Sequence, residues 1–192
     1  LLNMTSGVVF NEAGSITETD WVRGFFDSLV LTPPGKTFHY NSMNSYILSA
    51  ILKKMTGVGL MEYLTPRLWE PLGVKNVFWE LSPSGIEKGG WGLYIIPEDL
   101  AKIGQLYLQG GIWNGKQLIS REWIEAATSK KVTAPQGFGD FNYGYHIWVG
   151  RQQHCYLFNG MFGQNMICFP DTDMIIIENA GNNEMFQQSD FF

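Results

Sequence analysis

The spacing of apolar residues changes near Gly137, and this change constrains the fold more than any other feature of the chain. Before it, apolar residues recur at the three-and-four spacing of helices, most clearly at Met43, Tyr46, Ile47, Ala50 and Ile51. After it they alternate, as strand residues do, at Tyr143, Tyr145, Ile147 and Val149. We therefore predict an α+β fold with a mainly helical part over 1–137, antiparallel strands over 138–181, and the start of a C-terminal helix or a tail over 182–192.

Residues that favour helix ends divide the first part. Thr19 or Asp20 is placed to cap a first helix, and Ser120 to cap a later one. Gly57 follows the clearest amphipathic segment and predicts its C-terminal end. Thr65-Pro66 predicts a cap followed by proline at the first helical position, so we expect a helix to break or restart there.

The second part predicts four strands in meander order, joined by short links. A tight turn is expected near Met161-Phe162, and Phe169–Asp173 predicts another turn. The last strand is apolar throughout, which indicates a buried position. The predicted strands are 143–149, 156–159, 164–167 and 174–177.

Cys155 and Cys168 flank the predicted hairpin. In one register they face each other across the strands and could form a disulfide. A change of one residue places them on opposite faces, as two buried free thiols. We favour the free thiols.

Composition excludes several classes of function. The 192 residues are 45% hydrophobic and 16% charged, which describes a chain able to bury a core. A net charge of −5 argues against nucleic acid as a partner, because phosphate binding needs clustered Lys and Arg. No apolar run reaches the roughly 20 residues needed to span a bilayer. The three histidines form no metal-binding signature, so we expect no metal.

Several motifs occur in a fixed order along the chain. Pro33–Ser42 carries Tyr40 and Ser42 where a loop becomes a helix, and it is preceded by Leu1–Gly7. Glu70–Gly73, Gly90–Leu93 and Pro97–Ala101 follow. Together they resemble the serine β-lactamase and penicillin-binding-protein superfamily, in the branch of class C β-lactamases, D-alanyl-D-alanine peptidases and esterases.

The resemblance implies a β-lactamase/transpeptidase-like domain that hydrolyses an ester, amide, peptide or β-lactam bond through an acyl-enzyme, without a cofactor. Its substrate would be a small molecule or a peptide. The superfamily attacks with the Ser of Ser-x-x-Lys, and no Ser of this chain has a Lys three residues later. We therefore expect one domain that is incomplete at both ends and inactive by itself. The alternative is a catalytically dead binding module for a peptide, glycan or protein partner.

Two hydroxyl groups are the candidate catalytic residues that the resemblance implies. Tyr40 would shuttle a proton together with the lysine of Ser-x-x-Lys; otherwise it is an aromatic anchor for the loop. A phenol ordinarily has a pKa of about 10, so it needs a nearby positive charge to act as a base. Ser42 would hydrogen-bond the substrate amide or that lysine, and it is also placed to cap the following helix.

The third motif of the superfamily, a cation followed by Thr or Ser and Gly, is matched by Phe158-Asn159-Gly160. Asn159 and Gly160 are therefore candidate substrate-binding residues. Phe158 replaces the cation that holds a substrate carboxylate, which favours esterase, amidase or peptidase activity over penicillin hydrolysis. The alternative is an ordinary hairpin tip. Helices that cover one sheet face in the family are not found in the chain, so that face could support self-association.

Overall fold

A computed structural model describes residues 1–10, 19–135 and 139–181. Most helices lie in the first two-thirds of the sequence, as the apolar spacing predicts. The helical elements are α1 (Trp21–Asp27), α2 (Met43–Thr56), α3 (Leu60–Leu64), a π-helical segment (Thr65–Trp69), α4 (Glu70–Leu72), α5 (Pro97–Leu108), α6 (Arg121–Ala127) and a 3₁₀ turn (Pro170–Thr172). Among these described residues, none of the helices is both long and apolar enough to cross a bilayer.

The described strands form one five-stranded antiparallel sheet and three short two-stranded ladders. The ladders pair β1 (Val8–Val9) with β2 (Leu29–Val30), β3 (Phe78–Trp79) with β4 (Leu93–Tyr94), and β5 (Ile112–Trp113) with β6 (Lys116–Gln117). The sheet has the order β11-β10-β9-β8-β7, with β7 (Phe141–Tyr143), β8 (Trp148–Gly150), β9 (Tyr156–Gly160), β10 (Gln164–Phe169) and β11 (Met174–Asn179). The predicted α+β class is confirmed. The C-terminal helix or tail predicted for 182–192 lies outside the described residues.

The chain divides into two compact units. The first unit contains Leu1–Glu70 and Lys75–Tyr94. The second contains Pro71–Val74 and the described residues from Ile95 onward. Each has its own cluster of buried apolar side chains.

Packing of α1 against α2 forms the core of the first unit. Asp20 caps α1 by accepting from the backbone N–H of Arg23 at 3.0 Å. Of the two alternatives predicted for this cap, Thr19 and Asp20, the structure confirms Asp20. Trp21 meets Tyr46 edge to face, with ring centroids 5.1 Å apart. The hydroxyl of Tyr46 reaches that of Ser82 at 3.1 Å, so the buried phenol keeps a hydrogen-bond partner.

Helix α5 packs on β10 and β11 in the second unit. Its Gly104 allows this close approach, because a Cβ there would lie 3.0 Å from Sδ of Met166 and 3.1 Å from Cδ1 of Ile175. The strand pairing places Met166, Phe158 and Ile177 on the same face of the sheet, and all three belong to the cluster beneath α5.

The prediction of one strand over 143–149 is wrong. The segment is a hairpin in which β7 pairs with β8 and Tyr143 lies opposite Trp148. Gly144 approaches the carbonyl oxygen of Ala127 so closely that a Cβ would lie 2.0 Å from it. His146 then adopts a left-handed φ of 56°. The apolar alternation continues across this reversal, so spacing alone does not reveal it, and the meander has five strands instead of four.

The last predicted strand lies at an edge of the sheet and is not buried as predicted. Its side chains alternate in exposure, and Ile176 is 43% exposed. Leu157 and Ile167, which lie on the same face in the inner strands, are buried. Self-association through this face of the sheet stays a prediction. The exposed apolar side chains of this face, Met174 and Ile176, lie on β11.

Thr65 does not cap a new helix. It is itself helical, with φ −52° and ψ −58°, and its hydroxyl donates to the carbonyl oxygen of Met61 at 2.8 Å. The wider π-helical turn of Thr65–Trp69 accommodates Pro66, which has no N–H to donate and whose ring would clash with the preceding turn of an α-helix.

The two cysteines are free and buried, as we favour from the sequence. The register that would place them opposite each other is wrong by one residue, since Cys168 pairs with Tyr156. Burial raises the pKa of the Cys168 thiol to about 12, and it also raises the pKa of Cys155.

We expect both thiols to be detected only after unfolding. A pKa about three units above normal lowers the thiolate fraction of Cys168 roughly 10³-fold at about pH 8, and only the thiolate attacks an aromatic disulfide reagent. Titration without reductant should find two thiols in denaturant and slow labelling in the native protein. Finding no free thiol after unfolding would instead indicate a disulfide.

Candidate active site

The loop that carries Tyr40 is held by the first residues of the chain. The backbone N–H of His39 donates to the carbonyl oxygen of Met4 at 2.8 Å, and that of Gly35 donates to Thr5 at 2.7 Å. A third bond runs from Leu31 to Gly7 at 2.9 Å. The two earliest motifs of the sequence therefore form one hydrogen-bonded structure.

Met4 and Asn44 connect this structure to helix α2. Met4 is buried with a left-handed φ of 58°, a conformation that an L-residue adopts only where its surroundings hold it. The Nδ2 of Asn44, on the first turn of α2, donates to Sδ of Met4 at 3.4 Å. The start of α2 is thus fixed relative to the first motif.

Asn41, and not Ser42, caps helix α2 with its side chain. Its Oδ1 accepts from the backbone N–H of Met43 at 2.9 Å, and its Nδ2 donates to the carbonyl oxygen of Val8 at 3.3 Å. Ser42 has helical angles, φ −61° and ψ −23°, and makes no side-chain cap. The prediction that Ser42 caps α2 is therefore wrong.

A pair of glycines packs directly against the N-terminal part of α2. A Cβ on Gly90 would lie 2.5 Å from the carbonyl oxygen of Ser42, and one on Gly89 would lie 2.7 Å from that of Ser45. Only glycine allows this approach between two backbones. The Gly90–Leu93 motif thus limits where the backbone of Ser42 can lie.

Tyr40 immediately precedes the capping residue Asn41 and is 39% exposed. Its neighbours along the chain, His39 and Asn41, are both held by hydrogen bonds to the Leu1–Val8 segment. The structure therefore presents the phenol at the surface of the first unit from a constrained backbone.

Asn159 and Gly160 lie at the end of β9 in the second unit. The turn that follows has left-handed angles at Phe162, φ 63°, and Gly163, φ 84°, and it brings Gly160 opposite Gln164. The turn that the sequence places near Met161-Phe162 is confirmed. Asn159 is partly exposed, and its Nδ2 donates to Oδ1 of Asn165 at 2.7 Å.

Phe158, which the sequence motif matches to the family's cation, packs into the core under α5. Its ring meets that of Tyr107 edge to face, with centroids 5.2 Å apart. Burial raises the pKa of the Tyr107 hydroxyl to about 12, so the phenol stays neutral there. This position therefore supplies neither a positive charge nor a titrating group at neutral pH.

Two polar clusters are not predicted from the sequence. Asn165 and Glu178 extend the hydrogen bonding of Asn159 across β10 and β11, with Nδ2 of Asn165 donating to Glu178 Oε2 at 2.8 Å. Only the strand register, which aligns Asn159, Asn165 and Glu178, could have indicated this cluster. In the first unit, Lys88 and Tyr94 both donate hydrogen bonds to the carboxylate of Glu80. These bonds lower the pKa of Glu80, and the bond from Lys88 contributes most.

The histidines do not converge on a metal site. His154 is exposed and lies 2.7 Å from Oδ1 of Asp171, and burial lowers the pKa of His146 to about 4. Within residues 1–10, 19–135 and 139–181, no group of three His, Cys, Asp or Glu side chains is placed to hold a metal ion.

Comparison with known proteins establishes the family. The model of the family described as Beta-lactamase matches residues 1–178. The chain belongs to the beta-lactamase family. The resemblance inferred from the ordered motifs is confirmed, and so is the β-lactamase/transpeptidase-like fold.

Relatives of this beta-lactamase family member include a 6-aminohexanoate-dimer hydrolase and a penicillin-binding protein. It is 27% identical over 150 residues to the 6-aminohexanoate-dimer hydrolase of Paenarthrobacter ureafaciens, covering 73% of this chain and 38% of that protein. A Bacillus anthracis structure assigned as a 6-aminohexanoate-dimer hydrolase has a TM-score of 0.77 at 25% identity, covering 86% of this chain and 44% of the other. A penicillin-binding protein from Bacillus halodurans has a TM-score of 0.76 at 17% identity, covering 95% and 67%. The chain thus spans less than half the length of the first two relatives.

Replacing Asn41 with Ala should destabilise the protein by about 1–2 kcal/mol, because it removes a helix cap and leaves the buried carbonyl oxygen of Val8 without its side-chain donor. Equilibrium urea denaturation followed by far-UV circular dichroism measures the change. Met55→Ala is the matched control on the same helix, since Met55 is 79% exposed and should change stability by less than about 0.5 kcal/mol. Equal effects of the two substitutions would contradict the capping role of Asn41.

Proposed function

We propose that this chain is part of a serine hydrolase that cleaves an amide or ester bond through an acyl-enzyme. The observation that carries the proposal is the placement of Tyr40, an accessible phenol held at the start of α2 by the Leu1–Val8 segment. General acid–base catalysis requires a positioned side chain whose hydroxyl can come within hydrogen-bond reach of the substrate.

The attacking serine and its lysine are proposed to lie in polypeptide outside these residues, within the same β-lactamase-like domain. The sequence contains no Ser-x-x-Lys, and the 6-aminohexanoate-dimer hydrolase relative is considerably longer than this chain. By itself the chain would then be inactive. A folded module of this family that only binds its ligand is the competing function, and the absence of Ser-x-x-Lys from the chain is the observation that favours it.

The proposed reaction has two steps. The serine oxygen attacks the substrate carbonyl while its proton passes to the lysine and Tyr40, and a proton from this pair goes to the leaving amine or alcohol as the bond to it breaks. Water then attacks the acyl-enzyme with the same pair acting as base, which releases the acid and restores the serine. Ser42, two residues after Tyr40, would hydrogen-bond the substrate amide or the lysine.

Substrate binding is assigned to Asn159 and Gly160 at the end of β9. Asn159 offers a partly exposed amide, and Gly160 has no side chain to keep a ligand from the backbone. Phe158 is uncharged and packs against Tyr107, so this residue would not hold a substrate carboxylate. This supports amide or ester substrates over penicillins, and the 6-aminohexanoate-dimer hydrolase relative supports the amide class.

Tyr40→Phe in the complete protein should lower acylation by about 10²-fold or more, since it removes a general acid–base while leaving the ring that packs. The measurement is kcat/KM for a p-nitrophenyl ester and for an anilide of the same acid. Tyr63→Phe is the matched control, because Tyr63 is a half-buried tyrosine on α3 of the same unit. It should retain near-normal turnover.

Two outcomes would contradict the assignments. Undiminished turnover in Tyr40→Phe would remove the role of Tyr40. Covalent labelling of the 192-residue chain alone by a fluorophosphonate would show that it contains its own nucleophile. Absence of hydrolysis, with ligand binding retained in the complete protein, would favour the binding module.

A further inference from the structure

A row of three polar side chains crosses the sheet in the second unit. Asn165 on β10 lies opposite Asn159 on β9 and opposite Glu178 on β11, so all three side chains are on one face. Asn165 is only 2% exposed, and its amide bonds both neighbours, at 2.7 Å and 2.8 Å. The two outer members are partly exposed.

The carboxylate at the end of this row sets the direction of every hydrogen bond in it. An ionised carboxylate only accepts, so Asn165 must turn its Nδ2 toward Glu178. The Oδ1 of Asn165 then faces Asn159, which must donate to it from its own Nδ2. An amide that could otherwise adopt either orientation is thereby fixed in one.

The fixed orientation decides what Asn159 has left to offer a ligand. One N–H is used within the row, so two lone pairs on Oδ1 and a single N–H remain. The negative charge of Glu178 acts in the same direction, because it repels an anionic group near the end of β9 and attracts a cationic one. Both effects favour a hydrogen-bond donor over a carboxylate.

We propose that Glu178 and Asn165 are positioning residues that turn the carbonyl oxygen of Asn159 toward the substrate, and that the substrate presents an N–H donor there, as an amide or an ammonium group. This inference rests on the proposed role of Asn159 in substrate binding. It adds a preference for donors over carboxylates and two residues that act through Asn159.

The test compares two probes of equal length, n-hexylammonium and hexanoate, on the 192-residue chain. Binding is followed by NMR through the side-chain amide signal of Asn159, which is assigned from its loss in Asn159→Ser. The wild-type chain should bind hexylammonium about tenfold more tightly than hexanoate, the scale of one hydrogen bond to a charged group.

Glu178→Gln should bring the two affinities within about twofold of each other. Glutamine keeps the shape of Glu178 but both donates and accepts, so Asn165 and Asn159 are free to reverse, and the negative charge is gone. Glu125→Gln is the matched control: it makes the same change at an exposed position on α6 and should leave the tenfold preference intact.

Three results would overturn the proposal. The first is a wild-type chain that binds hexanoate as tightly as hexylammonium or more tightly, a result that does not depend on any variant folding. The second is a preference that survives Glu178→Gln, and the third is an Asn159 signal that neither probe shifts. The hydrolase assignment is tested separately by Tyr40→Phe in the complete protein, so loss of the donor preference with Tyr40 still essential would remove this inference alone.

Discussion

Three backbone hydrogen bonds from the loop before α2 to the first motif determine where the candidate catalytic residue can be. They pair Leu31, Gly35 and His39 with carbonyl oxygens between Met4 and Gly7. Each contributes only about 1 kcal/mol, and together they offset part of the roughly 1–2 kcal/mol of conformational entropy that each fixed residue of this proline- and glycine-containing loop loses. Asn41 extends the same attachment into α2, so Tyr40 lies between two fixed points.

Helix α2 itself is positioned by close backbone contact. The Gly89-Gly90 pair touches the carbonyl oxygens of its first turns, and Tyr46 inserts beside Trp21 on its buried face. A side chain at Gly90 would force the backbone of Ser42 to move. Motifs far apart in the sequence are therefore parts of one local structure, which is the physical reason that their order carries more information than any one of them.

The sequence predicts helices better than strands in this chain, for reasons that particular residues illustrate. Asp20, Gly57 and Ser120 define helix ends through local chemistry, and they do so in the structure. The hairpin at Gly144 depends on contact with the carbonyl oxygen of Ala127, a tertiary interaction that the alternation of apolar residues does not encode.

The same distinction applies to the candidate site. Tyr40, Ser42, Asn159 and Gly160 can be proposed from motif spacing alone, because a motif records which residues occur together. Asn165 and Glu178 could not, since their relation to Asn159 depends on a strand register that a shift of one residue would abolish. The sequence also favours Ser42 over Asn41 as a possible cap of α2 for a similar reason: both are good cap residues, and the bond from Asn41 to Val8 is long-range.

Amide hydrogen exchange at Leu31, Gly35 and His39 tests the central claim most directly, because these N–H groups form the attachment between the first motif and the Tyr40 loop. The account predicts that all three exchange at least about 10²-fold more slowly than in an unstructured peptide of the same sequence, as hydrogen-bonded amides of a folded unit do. Exchange of these three amides at the rates of the free peptide, while the amides in the middle of α2 remain protected, would show that the loop is not held and would contradict the placement of Tyr40.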